Sequence, residues 1–176
     1  MKTIQSFIEK HNGNYTQEVE KSVNTHVGKY SSQAKIGSLI YKGSKLKIAI
    51  NEVGGADPIS QPLRIKLYLD KPILFDFFIF PRSYWNQKIR SVFGNKKISL
   101  IKSIKKQYSF SGSNKLTSKL IANESFLQKI DNEIIVVNIS KKKPNVITII
   151  PTHGYRNVEH LEKLADILKL IESEIE

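Results

Sequence analysis

The stretch IIPTHGYRNVEHLEK, residues 149–163, gathers His153, Tyr155, Arg156, Glu159, His160 and Glu162. Imidazoles beside carboxylates and a guanidinium are the groups from which acid–base and metal sites are assembled. Their spacing argues for structure in most cases. His153 and His160 are seven residues apart with Gly154 between them, and no H-E-x-x-H pattern occurs. Pro151 reads as a strand end, Gly154 as a turn and Asn157 as a helix N-cap. Glu159 falls in the first helical turn, where the positive end of the helix dipole favours a carboxylate. Val158, Leu161 and Leu164 then face inward, which sends His160 and Glu162 largely outward. His153, Tyr155 and Arg156, on the loop before the cap, stay as a candidate loop site.

Other chemistry is thinly supplied. The chain has no cysteine, hence no thiolate nucleophile, disulfide or cysteine metal site. There is no G-x-S-x-G elbow. FSGSNK, residues 110–115, places a Gly-containing turn and a lysine at a helix start, as a phosphate-binding loop would, but without P-loop spacing. Ser113 or Asn114 reads there as an N-cap. Asp76, set in LFDFF, is the best candidate for a perturbed carboxylate, because an apolar strand penalises its charge unless it is paired. No catalytic set, metal site or cofactor is expected, and the balance leans away from an enzyme.

The charge distribution is more informative. The formal net charge is +12, and residues 61–120 carry 13 Lys and Arg against 2 Asp and Glu. Between Asp76 and Glu124 there is no acidic residue, while ten basic ones occur. Arg82, Lys88, Arg90, Lys96, Lys97, Lys105 and Lys106 are the candidate anion-binding residues of this window. Such a window speaks of fields and partners rather than of fold. The partners it suits are nucleic acid or an acidic protein; an anionic membrane surface suits it less, because no amphipathic membrane helix accompanies the lysines.

These side chains need elements to position them. Residues 2–10 read as an amphipathic helix with Ile4, Phe7 and Ile8 on one face, and a second helix is expected near 15–23. IGSLIY and KLKIAINEV flank Lys42-Gly43-Ser44 as a hairpin, and LRIKLYLD alternates as a half-buried strand. ILFDFFIF, apolar on both faces, reads as a central strand, and RSYWNQKIRSVFG as a helix. A strand over SIKKQYSF, a helix in two pieces over 111–130, the strands EIIVVNIS and NVITIIPT, and a helix from about Val158 to Ile175 complete the chain. Most strand connections are too short for parallel crossovers, so the sheet should be mainly antiparallel. The expectation is one α+β domain over 1–176, about seven strands with helices on one face in two layers. A weak two-half organisation, 1–94 and 95–176, is the alternative, because both halves end in strand, strand, helix.

The order QYSFSGSNKLTSKLIANESFLQKI, IIVVNIS, VITIIPT and a closing amphipathic helix resembles, over about residues 95–175, a domain of bacterial proteins of unknown function. In that domain an acidic residue often precedes the strand aromatic, where KKQYSF has lysines. The resemblance implies the α+β layout and carries neither an activity nor site residues. With no apolar leader at Met1 and no apolar run near 20 residues, the chain reads as a cytoplasmic protein without a transmembrane segment. The function expected is a non-enzymatic binding module with a basic face over 82–119. A small enzyme with a non-motif site, or a protein–protein accessory subunit, is the alternative; oligomeric state is not legible.

Overall fold

The computed structural model describes residues 3–25, 28–54, 61–82 and 107–175. Helix α1 spans Thr3–Lys10 and buries Ile4, Phe7 and Ile8, the stripe its periodicity demands. The chain then turns through Asn12, whose φ is +53°, into strand β1, Asn14–Gln17. Strand β2, Lys21–Thr25, follows. The helix expected near 15–23 is therefore absent. This polar segment has no apolar face with which to dock as a helix. Its backbone is satisfied instead by antiparallel pairing of β1 and β2 along one edge of the long strand β3, Gly28–Tyr41.

Strand β4, Ser44–Gly54, returns from β3 through Lys42 and Gly43, with φ of +47° and +86°. Two successive positive φ values make the tight turn whose twist matches the strands it joins. Strand β5 is Gln61–Tyr68 and β6 is Phe77–Pro81. The expected strand over 73–80 is thus confined to its second half. Residues before it run across the start of a later strand, with Leu69 N–H donating to Asn145 O at 2.9 Å and Ile73 N–H to Pro144 O at 2.8 Å. The helix expected over 82–94 lies outside the described residues, apart from Arg82, as does the first half of the strand expected over 103–110.

Strand β7, Tyr108–Gly112, leads into helices α2, Asn114–Ala122, and α3, Glu124–Ile130. Ser113 caps α2 by accepting from Leu116 N–H, and Asn123 caps α3 by accepting from Phe126 N–H. Strands β8, Ile135–Ser140, and β9, Lys143–Pro151, form a hairpin, and α4, Val158–Ile175, follows. Among the described residues nine strands make one antiparallel sheet in the order β1-β3-β4-β5-β9-β8-β6-β7, with β2 paired to β3 beyond β1. That is two strands more than the pattern suggests, both from the segment taken for a helix. Because β9 pairs with β5, the strands from the two parts of the chain share one sheet.

The fold class is α+β, an open antiparallel sheet with helices on one face. Alternation sets the layers. Leu46 and Ile48, Leu63, Ile65 and Leu67, Ile147 and Ile149, and Ile135, Val137 and Ile139 face the helices and join one core with Leu161, Leu164, Leu168 and Ile171 of α4. Ile8 of α1 lies directly over Gly37 of β3, where an added Cβ would fall 1.7 Å from Ile8 Cδ1. Glycine at 37 is what lets α1 approach the sheet.

Candidate functional site

Two places gather functional groups. The first lies at the N-terminus of α4. Asn157 Oδ1 accepts from His160 N–H at 2.9 Å, the capping contact expected of it. His160, however, turns inward rather than outward. Its Nε2 lies 2.9 Å from Oε2 of Glu133, and both side chains are buried. Lys163 Nζ donates to the other Glu133 oxygen at 2.7 Å, and Arg156 stands 3.6 Å away. The Glu133 carbonyl accepts from Gln107 Nε2 at 3.1 Å and, in a short bond, from the Tyr108 hydroxyl. Burial pushes the Glu133 carboxyl up, but the bonds and charges of Lys163 and His160 outweigh it and hold it below its ordinary value. Burial is also the main reason the Tyr108 phenol is raised.

The imidazole's second nitrogen is also engaged: Nδ1 accepts from the backbone N–H of Arg156 at 3.2 Å. An Nδ1 that accepts carries no proton, so the hydrogen sits on Nε2 and points at Glu133. The pair has the look of a catalytic dyad, but a base in such a dyad needs a free nitrogen toward substrate, and His160 has none. Its chemistry is to fix the α4 N-terminus against the strand edge.

A cavity of about 250 Å³ opens beside this network, lined in part by Glu133, His153, Gly154, Arg156 and His160. Of the candidate loop residues, His153 is exposed, with Nδ1 3.0 Å from Thr152 Oγ1. Arg156 is exposed and faces Glu133, while Tyr155 packs against the core. His153 and Arg156 therefore share the cavity wall and Tyr155 does not line it. Glu162 also departs from the outward reading: it accepts from Lys10 at 2.8 Å and lies 3.3 Å from His11 Nε2, tying α1 to α4. Asp76 stands before β6 and is paired, accepting from Lys141 N–H at 2.9 Å and Ser140 Oγ at 3.2 Å. Among the described residues no group of three or more His, Asp or Glu is placed to hold a metal ion.

The second place is the sheet face away from the helices. The alternation that buries Leu46, Ile48, Ile65 and Leu67 sends Lys45, Lys47, Arg64, Lys66 and Tyr68 to this side. One row of paired positions crosses it: Ser38, Lys47, Lys66, Thr148, Asn138, Phe78 and Ser111. Lys47 and Lys66 are direct cross-strand partners, an arrangement that destabilises a sheet. Burial lowers the Lys66 ammonium pKa first, and the charges of Lys143, Arg64 and Lys47 lower it further. Among the described residues, Lys47, Arg64, Lys66 and Lys143 form no ion pair, whereas lysines on the helix side find carboxylates: Lys42 and Lys129 on Asp166, Lys163 on Glu133, Lys169 on Glu172. A groove of about 440 Å³ runs between Arg64, Lys66 and Lys143 over Tyr68, Asn138 and Thr148. Lys45 Nζ sits 5.6 Å from the centroid of the Tyr68 ring.

Of the cations singled out in the sequence, Arg82 is exposed just after β6. Lys88, Arg90, Lys96, Lys97, Lys105 and Lys106 lie outside the described residues. The cluster on β4, β5 and β9 was not singled out. Its signal was present in KLKIAI and LRIKLY, two neighbouring strands whose cations fall at the same parity.

The fold and this face define an α+β protein built on one open antiparallel sheet, helical on one side and cationic on the other. No protein-family model matches the chain, and no curated protein matches it. A solved structure similar to it is that of the mycobacterial trehalose monomycolate transport factor A, TtfA, with a TM-score of 0.54 and 10% sequence identity, covering 97% of this chain and 91% of that one. At that identity the likeness is one of fold. The domain family suggested over residues 95–175 finds no matching model, and what the chain shares with TtfA is the fold. Among the described residues, no helix is long and apolar enough to cross a membrane.

Proposed function

We propose that the chain is a non-enzymatic binding module that holds an anionic partner against the face of its sheet opposite the described helices. The observation that carries this is the convergence of Arg64, Lys66 and Lys143 on one groove, with Lys47 the cross-strand partner of Lys66 beside it and no carboxylate among the groove's lining residues. Like charges kept opposite each other on interior strands serve neither packing nor edge protection. An anion in the groove would relieve their repulsion. Arg82 and the rest of the acid-free window, including Lys88, Arg90, Lys96, Lys97, Lys105 and Lys106, add long-range attraction for the same partner. The engaged nitrogens of His160 favour binding over catalysis. The fold shared with a transport factor is compatible with a protein that binds rather than transforms.

Labelled inorganic polyphosphate is the simplest probe. At low salt it should bind, and Lys47→Glu with Lys66→Glu should weaken binding at least tenfold, on the order of 1.4 kcal/mol. Lys10→Glu, on the helix side, should leave binding within about twofold. Equal loss from both substitutions, or no binding at low ionic strength, would overturn the assignment.

A further inference from the structure

We infer that the occupant of this face is a single-stranded nucleic acid, with phosphates held by Lys47, Arg64, Lys66 and Lys143 and a base stacked on Tyr68. This rests on the anion-binding reading of the face and narrows it. Four features point the same way. The cations form a two-dimensional array: Lys47 and Lys66 face each other across strands about 4.8 Å apart, and Arg64 lies two residues along, near 7 Å. A phosphodiester chain supplies anions in series at such separations, whereas a single phosphate would satisfy only one corner of the array.

Tyr68 stands on the same face, within the same groove. The Lys45 ammonium stands over its ring, 5.6 Å from the centroid, and a base that stacks on that side takes the cation's place. A base presents a π face of its own, and stacking on sheet aromatics is a recurrent mode of single-strand recognition. The groove floor adds Asn138 and Thr148, whose amide and hydroxyl suit base edges and sugar oxygens. Val146 and Ile150 also line the groove, but charged and polar side chains outnumber them, which suits a nucleotide better than a lipid surface. Finally, the described helices pack on the opposite side and among the described residues none crosses the floor, which suits an extended chain, while a duplex would meet the lysines through its phosphates and keep its bases from Tyr68.

The test is anisotropy with a labelled 12-nucleotide single strand (about 12 nucleotides covers one such face), the matching duplex, inorganic polyphosphate and phosphatidylserine vesicles. Binding of the single strand should fall roughly 50- to 130-fold between 50 and 200 mM salt, as four or five phosphate contacts require. Lys66→Gln should reduce the logarithmic salt slope by about 0.7. Tyr68→Ala should weaken the single strand about tenfold and Tyr68→Phe should restore it, with polyphosphate unmoved by either. Circular dichroism checks that each variant is folded. If Tyr68→Ala binds the strand as the parent does, or the duplex binds as tightly, or vesicles bind and the strand does not, the inference fails. In those cases polyphosphate binding leaves the anion-binding reading standing. If neither strand nor polyphosphate binds, both fall.

Discussion

Glu133 is the residue on which the α4 N-terminus turns. Its carboxylate is buried and accepts from His160 and Lys163, so Glu133→Gln keeps the shape but removes the charge that both partners answer. The expected loss is about 2–3 kcal/mol, read as a shift in the urea midpoint. Arg156→Ala, exposed and 3.6 Å away, should change stability by less than about 0.5 kcal/mol. Acid should act on the same group. Glu133, Glu162 and Asp166 all have pKa values held below their ordinary 4.5, 4.5 and 3.8. A depressed carboxylate contributes fully above its unfolded pKa and loses that contribution as pH falls through the folded one. Stability should thus be flat from neutral pH down to about 5 and fall below it, with a shallower fall in Glu133→Gln. Urea titrations across that range decide it. The sequence foretold the Asn157 cap but not the His160 contact. A histidine two positions into a helix looks outward by periodicity, and only the tertiary approach of Glu133, 27 residues earlier, turns it in.

At the scale of elements, α1 is seated by an absence. Gly37→Ala would push a methyl into Ile8 Cδ1 and Cγ1, costing about 1–3 kcal/mol by overpacking. Ile8→Ala removes both of those atoms, so the double variant should be less destabilised than the sum of the singles. A double-mutant cycle measures that coupling. The strands that alternate cleanly, such as β5, and the long amphipathic α4 were legible because a single periodicity covers the whole element. Residues 14–25 were not, because their strands are fixed by pairing to β3 and carry no apolar signature. The late start of β6 has another cause: Asp76 is taken by the β8–β9 turn, a partner more than 60 residues away in sequence.

Over the whole molecule, charge is sorted by layer. Carboxylates on α4 absorb the lysines of the helix side, and the strands opposite keep theirs unanswered. Lys66→Gln should therefore leave stability unchanged or raise it by a few tenths of a kcal/mol at low salt, while added salt narrows the difference. Thermal melts at two ionic strengths test this; a clear loss of stability would mean that Lys66 has a structural partner. The sequence announced a basic excess and placed it in one acid-free window. Strand parity places a further, described share of it on β4, β5 and β9, where three separated segments meet only after folding. That same meeting, β9 alongside β5 and α4 beneath both, has a consequence for biosynthesis. At ribosomal rates, roughly 5–20 s separate the emergence of β5 from that of α4. Throughout that interval the buried side of β4 and β5, with Leu46, Ile48, Ile65 and Leu67, waits without α4. A nascent chain halted before residue 158 should be a chaperone client, and release of the last helix should end that dependence.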